Sequence, residues 1–221
     1  LQKTISEAEF NKVHRIKVLR EALETTLFEY RSNPSYLDDR DNPLIRRATV
    51  QFTKLDLLRN EILKLQSLNA PSFRLSNEIN AEGFNPGLAD SLSSYLNNLE
   101  RYFSRISNAA SDRRDRFYNL NEIKLREIEK DYYNYKLLEI VTKPYERNKF
   151  LIFNNTIVQN IDPIYLEPAK NGALGFRTHF YAPAKYIFGR RIDTFMFNIG
   201  LTLFSTVILY LALHLQILAK L

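Results

Sequence analysis

The sequence predicts an all-α protein: an elongated helical, coiled-coil domain with a small β-hairpin near a membrane and one C-terminal transmembrane helix. Three observations carry this reading. Residues 194–219 contain no Asp, Glu, Lys or Arg. Residues 88–142 contain neither Gly nor Pro, and apolar side chains recur there every three or four positions. Two shorter stretches ahead of that run show the same period, the mark of an amphipathic helix.

Between residues 7 and 31, Phe10, Val13, Ile16, Leu19, Leu23, Leu27 and Tyr30 fall along one helical seam. Ser6 is the expected N-cap, with Glu9 three residues on as its capping-box partner. Pro34, Pro43 and the acidic pair Asp38 and Asp39 mark a loop over 32–43. A second helix over 44–69 puts Ala48, Phe52, Leu55, Leu58, Ile62 and Leu65 on one side, so the two helices should form an antiparallel hairpin. Pro71, Gly83, Pro86 and Gly87 then predict an irregular tip or a short helix, with Phe73, Leu75 and Ile79 available for burial.

From Leu88 to Thr142, Leu92, Leu96, Leu99, Phe103, Ile106, Ala110, Phe117, Leu120, Ile128, Tyr135 and Leu138 keep nearly one phase. The expectation is one rod of about 80 Å. The alternative is a turn in the polar patch Ser107–Ser111, beside Arg113 and Arg114, that divides the run into two helices. Both complete a helical stalk over 1–142. Charged runs such as Lys124, Arg126, Glu127, Glu129 and Lys130 read as a solvated face with spaced ion pairs.

A membrane-proximal connector follows over 143–191. Residues 150–159, FLIFNNTIVQ, alternate apolar runs around Asn154 and Asn155 as a strand, turn and strand would. Downstream, Tyr165, Phe176, Phe180, Tyr181, Tyr186 and Phe188 suit the boundary between water and headgroups, while Lys185, Arg190 and Arg191 can reach phosphate oxygens.

Residues 192–221 supply the transmembrane helix. The 26 uncharged positions 194–219 would make a helix of about 39 Å, against a hydrocarbon core of about 30 Å, so some tilt is expected. Asn198, Gly200 and Thr202 let helices approach closely, which points to packing on protein as well as lipid, although Ser and Thr can also satisfy themselves on their own helix. His214 and Gln216 should lie among the headgroups. One span cannot form a conduit. The start at Leu1, the missing leader and the absence of a polar tail suggest a piece of a longer polypeptide.

Composition excludes several functions. There is no Cys, hence no disulfide or thiolate metal site, and His14, His179 and His214 lack ligand spacing. Residues 1–142 carry 22 basic and 21 acidic side chains, while 143–191 carry 8 and 3. The basic excess therefore sits beside the span, where it meets lipid phosphate or sets topology, and nucleic acid is not an expected partner. No Ser, His and Asp arrangement, metal box or paired carboxylate in a glycine-shaped cleft suggests catalysis, so this segment has no expected catalytic residue, metal or cofactor.

The string IDPIYLEP, then GFRTHFYAPAKYIFG, then IDTFMFN leading into the span, resembles the C-terminal end of bacterial ABC-2 type exporters similar to the G subfamily of ATP-binding cassette transporters. The likeness is firm over about 155–215; over 1–150 it rests on a long helical insertion in the right place. It implies that Asp162, Pro163, Tyr165, Arg177, His179, Phe180, Tyr181 and Pro183, with Asp193, Phe195 and Phe197, return the chain into the bilayer. It further implies an enlarged periplasmic helical domain and the last span of an exporter in a bacterial inner membrane. The stalk would act as a partner platform or substrate conduit.

The implied partners are membrane lipids, the other spans and ATPase domain of the same transporter, a second copy in a homodimer, and a periplasmic protein on the stalk. ATP and Mg would belong to the ATPase domain, because no G-x-x-x-x-G-K-[ST] loop occurs among the six glycines here. One count runs the other way: Arg190 and Arg191 precede the span and Lys220 alone follows it, which by the positive-inside rule puts the stalk in the cytoplasm. Long domains weaken that rule, and the resemblance places the stalk in the periplasm. The competing class is a single-span, membrane-anchored coiled-coil scaffold or tether.

Overall fold

The computed structural model describes residues 1–32, 54–166, 168 and 182–215. These are mostly helical, with two small antiparallel hairpins. The chain divides into two compact units, Leu1–Asn134 with Tyr145–Ile161, and Tyr135–Pro144 with Asp162–Leu221.

In the first unit, α1 (Gln2–Phe10) runs through a π-helical turn (Asn11–Arg15) into α2 (Ile16–Ser32). The helix begins earlier than expected, and Ser6 is buried inside α1 instead of capping it. The wide π turn shifts the apolar stripe, so Val13 faces solvent while Phe10, Ile16 and Leu19 enter the core. Helix α3 (Leu55–Ser67) buries Leu58, Ile62 and Leu65. It ends in a Schellman arrangement: Asn69 is left-handed (φ 63°), its N–H reaches the Gln66 carbonyl, and the Ala70 N–H reaches Leu65. The loop and the start of the second helix expected before residue 54 lie outside the described residues.

The irregular tip is present. Phe73, Ile79 and Phe84 are buried, and the tip is held by hydrogen bonds from the Tyr95 hydroxyl to the Pro71 carbonyl (2.7 Å) and from Tyr102 to Asn69 (3.1 Å). Burial raises the Tyr95 hydroxyl to about 12. The long helix α4 (Pro86–Leu120) starts where the side chain of Asn85 accepts the Leu88 N–H and Pro86 takes the first turn. It packs on α1 and α2 through Leu92, Leu96, Leu99 and Phe103.

The 88–142 run is neither one rod nor a hairpin at 107–111. It forms α4, then α5 (Glu122–Tyr132) and α6 (Tyr135–Thr142), with breaks at Asn121 and at 133–134. Ser107 is buried within α4 and donates to Glu9 (2.5 Å), a bond that is the first cause of the lowered Glu9 pKa. The buried stripe on α4 stops at Ala110, and Phe117, Leu120, Ile123 and Ile128 are exposed. The repeat therefore closes a helical core in its first half, and the described residues do not show the expected elongated coiled coil.

The first hairpin falls where expected: β1 (Phe150–Phe153) pairs with β2 (Thr156–Gln159), and Asn154 and Asn155 (φ 48° and 50°) make the two-residue turn. Alternate residues of an antiparallel pair turn their backbone groups outward. On β2 that outward edge is covered by α3: Glu61 accepts the Ile157 N–H (2.7 Å), Lys64 donates to the Ile157 carbonyl (3.0 Å), and Asn60 to that of Asn155 (3.3 Å). The same Glu61 lies 3.0 Å from Nε of Arg15, with side-chain exposures of 0% and 8%. Their alignment makes this an ion pair and not a hydrogen bond. Burial pushes the Arg15 pKa down and Glu61 pushes it up.

In the second unit the Asp162 N–H bonds to the Thr142 carbonyl (2.8 Å), tying α6 to a 3-10 turn at Pro163–Tyr165. A second hairpin, which the sequence reading lacks, pairs β3 (Ala184–Ile187) with β4 (Arg190–Asp193) around Phe188 and Gly189, both at positive φ. Helix α7 (Thr194–His214) follows directly. Among the described residues it is the one helix long and apolar enough to cross a membrane, with a mean hydropathy of 1.9 over its best window and no residue of that window buried.

Candidate membrane-contact site

The strongest functional geometry is the junction of β3, β4 and α7. Asp193 ends β4 and caps α7, its Oδ1 accepting the Phe195 N–H at 2.9 Å. Thr194 ties the first turn to the chain entering β3: its hydroxyl donates to the Ala182 carbonyl (2.6 Å) and its N–H to Pro183 (3.3 Å). The hairpin base and the helix start are thereby one hydrogen-bonded piece.

Charge is arranged around it. Lys185 is half-buried, with Nζ 4.5 Å above the Phe197 ring, a cation–π contact that fixes the ammonium beside the first helical turn. Arg190 pairs across the strands with Ile187 and Arg191 with Tyr186, so the two arginines lie on opposite faces of the hairpin. Both are exposed and neither makes an ion pair among the described residues.

The expected helix-packing residues behave differently from one another. The Thr202 hydroxyl bonds back to the Asn198 carbonyl (2.9 Å), and Ser205 and Thr206 do likewise to Leu201 and Thr202. These hydroxyls are satisfied within α7. Asn198 is exposed, and a Cβ added at Gly200 would meet nothing within 4 Å, so the close approach Gly200 permits is not used among the described residues.

Of the connector residues, Pro163 is buried, Asp162 takes a left-handed conformation (φ 52°) ahead of the 3-10 turn containing Tyr165, and Pro183 supplies the carbonyl at the helix start. Arg177, His179, Phe180 and Tyr181 lie outside the described residues. The junction has three features with readable signals: a Phe-Gly turn between apolar-basic strands, an Asp one residue before the apolar run, and a Thr after it. The contact of Lys185 with Phe197 needed the register. Among the described residues no group of three or more His, Cys, Asp or Glu side chains could hold a metal ion. No protein-family model, curated protein or solved structure matches this chain.

Proposed function

We propose that this chain is a membrane-anchored helical domain, the extracytoplasmic domain and last span of the membrane subunit of an ATP-driven exporter. The observation that carries the membrane half is α7. Its 21 residues extend about 32 Å, enough to cross a hydrocarbon core of about 30 Å. Its eleven Leu, Ile, Phe and Val residues each favour insertion by about 0.3–0.6 kcal/mol. Lys185, Arg190 and Arg191 stand at the end where phosphate oxygens would lie.

The exporter half is supported by the resemblance of residues 155–215, and in this reading the helical unit is periplasmic and serves as a partner platform or substrate conduit. ATP and Mg act elsewhere in the assembly. The test has two stages. Membranes of the native host are washed at alkaline carbonate pH, where the chain should remain in the pellet; release into the supernatant would reject the span. The native complex is then solubilised, purified and analysed by mass spectrometry. A nucleotide-binding ATPase domain, on the same polypeptide or tightly associated, is the expected result. Its absence from an intact complex would reject the exporter and leave the scaffold.

A further inference from the structure

Helix α6 is the least expected member of the second unit. Its sequence, YKLLEIVT, continues the phase of the preceding helices, yet Tyr135–Pro144 clusters with the residues that lead into and form α7. Val141 is buried and the Thr142 carbonyl receives the Asp162 N–H, so α6 is seated on its own unit. What it turns outward is apolar: Leu137 is 51% exposed, Leu138 39% and Ile140 51%. Its two charges, Lys136 and Glu139, sit one turn apart and pair at 3.5 Å.

We propose that α6 lies in the interface of the bilayer that α7 crosses, as a second lipid-contacting element of the same unit. The proposal rests on the membrane reading of α7 and extends it to a helix more than fifty residues earlier in the chain. Three features favour lipid over a protein partner. Leu137 and Ile140 lie on one side of the buried Val141 and Leu138 on the other, so apolar groups flank the seated side on both edges, as in a helix lying in a headgroup boundary. The aliphatic centre is bracketed by Tyr135 and Lys136 before it and by Lys143 after it, the order in which aromatic and snorkelling residues flank an interfacial segment. The helix also shares a compact unit with the one candidate span among the described residues.

The chain contains no Trp, so a single introduced tryptophan reports without background. Full-length Ile140→Trp and Leu137→Trp, reconstituted in vesicles of phosphatidylcholine brominated near the headgroup end of the acyl chain, should lose half or more of their emission. Vesicles brominated near the chain terminus should quench them less. Phe204→Trp, in the middle of α7, is the control for the span and should show the opposite depth order. The same variants in unbrominated vesicles give the unquenched reference. Emission at 137 and 140 unchanged from that reference, with Phe204→Trp quenched, overturns the interfacial helix and leaves the span intact. A blue-shifted but unquenched Ile140→Trp overturns it in favour of a protein partner. An unquenched Phe204→Trp removes the span and the interfacial helix together.

Discussion

Replacing Glu61 by Gln should be among the most damaging single changes in the helical unit. The carboxylate is fully buried, 3.0 Å from the guanidinium of Arg15, and it also accepts the Ile157 N–H at 2.7 Å. Gln keeps an acceptor for that N–H and nearly the same volume, but leaves Arg15 as a buried charge without its counterion. Breaking a buried pair this way costs about 3–5 kcal/mol. With a urea slope of about 2 kcal/mol per M, the unfolding midpoint should fall by about 2 M. The assay is urea unfolding of the full chain in mild detergent, followed by helical circular dichroism. Adding Arg15→Met to Glu61→Gln should recover most of the loss, because it removes the stranded charge. Glu61→Ala should cost about 1–3 kcal/mol more than Gln, since it orphans the Ile157 N–H as well. A Glu61→Gln midpoint within about 0.5 M of the parent, or a double variant no better than the single, would refute the buried bridge between the π turn, α3 and β2.

Gly83→Ala should destabilise by about 1–3 kcal/mol in the same unfolding assay, because its Cβ would stand 2.4 Å from the Glu78 carbonyl oxygen, a backbone atom that cannot swing aside. Asn155→Val should cost about 1–2 kcal/mol, since a β-branched residue must hold a positive φ there, whereas Asn155→Gly should be neutral or better; equal costs would count against the observed turn. The His14 pKa is lowered by burial first, then by Lys149 and Lys17, so folding favours the neutral ring. The stability tied to it is complete above the unfolded value of about 6.5 and is lost as pH falls from there through the lower folded value. His14→Gln should flatten the fall in urea midpoint between about pH 7 and the top of the carboxylate range, and an unchanged slope would reject the linkage.

Much of this was legible in the sequence wherever a local rule decided the outcome. The Asn154-Asn155 turn was readable because two short apolar runs flank residues that tolerate a left-handed backbone, and the irregular tip because Pro and Gly punctuate it. The start of α4 was misplaced by two residues although Asn85 and Pro86 are ordinary start signals. The π turn was invisible: nothing in NKVHR announces a widened turn, and its effect is tertiary, since it lets Arg15 meet Glu61 across the core. At the candidate site, the basic and apolar residues were readable one by one. Their register, with Lys185 over Phe197 and Thr194 bound to Ala182, arises from a hairpin whose strands are four residues each and carry little signal.

The apolar repeat of 88–142 shows where such reading stops. A three-four period reports that residues share a helical face; it does not report what covers that face. Over Leu88 to Ala110 the cover is α1, α2 and the tip, and each buried side chain is worth about 1.5–3 kcal/mol. Past Ala110 the phase persists, but the cover ends, and the chain breaks at Asn121 and again at 133–134 before α6. Val141 then finds burial in the second unit with the Pro163 turn, so one sequence stripe serves two units. A continuous rod would have left Leu120, Ile123 and Ile128 as exposed as they are here, so nothing in burial rewards continuity across the break. The period is therefore a constraint on helix phase alone, and assigning a partner to each segment requires the contacts: bundle core for α4, and for α6 the unit that also carries α7.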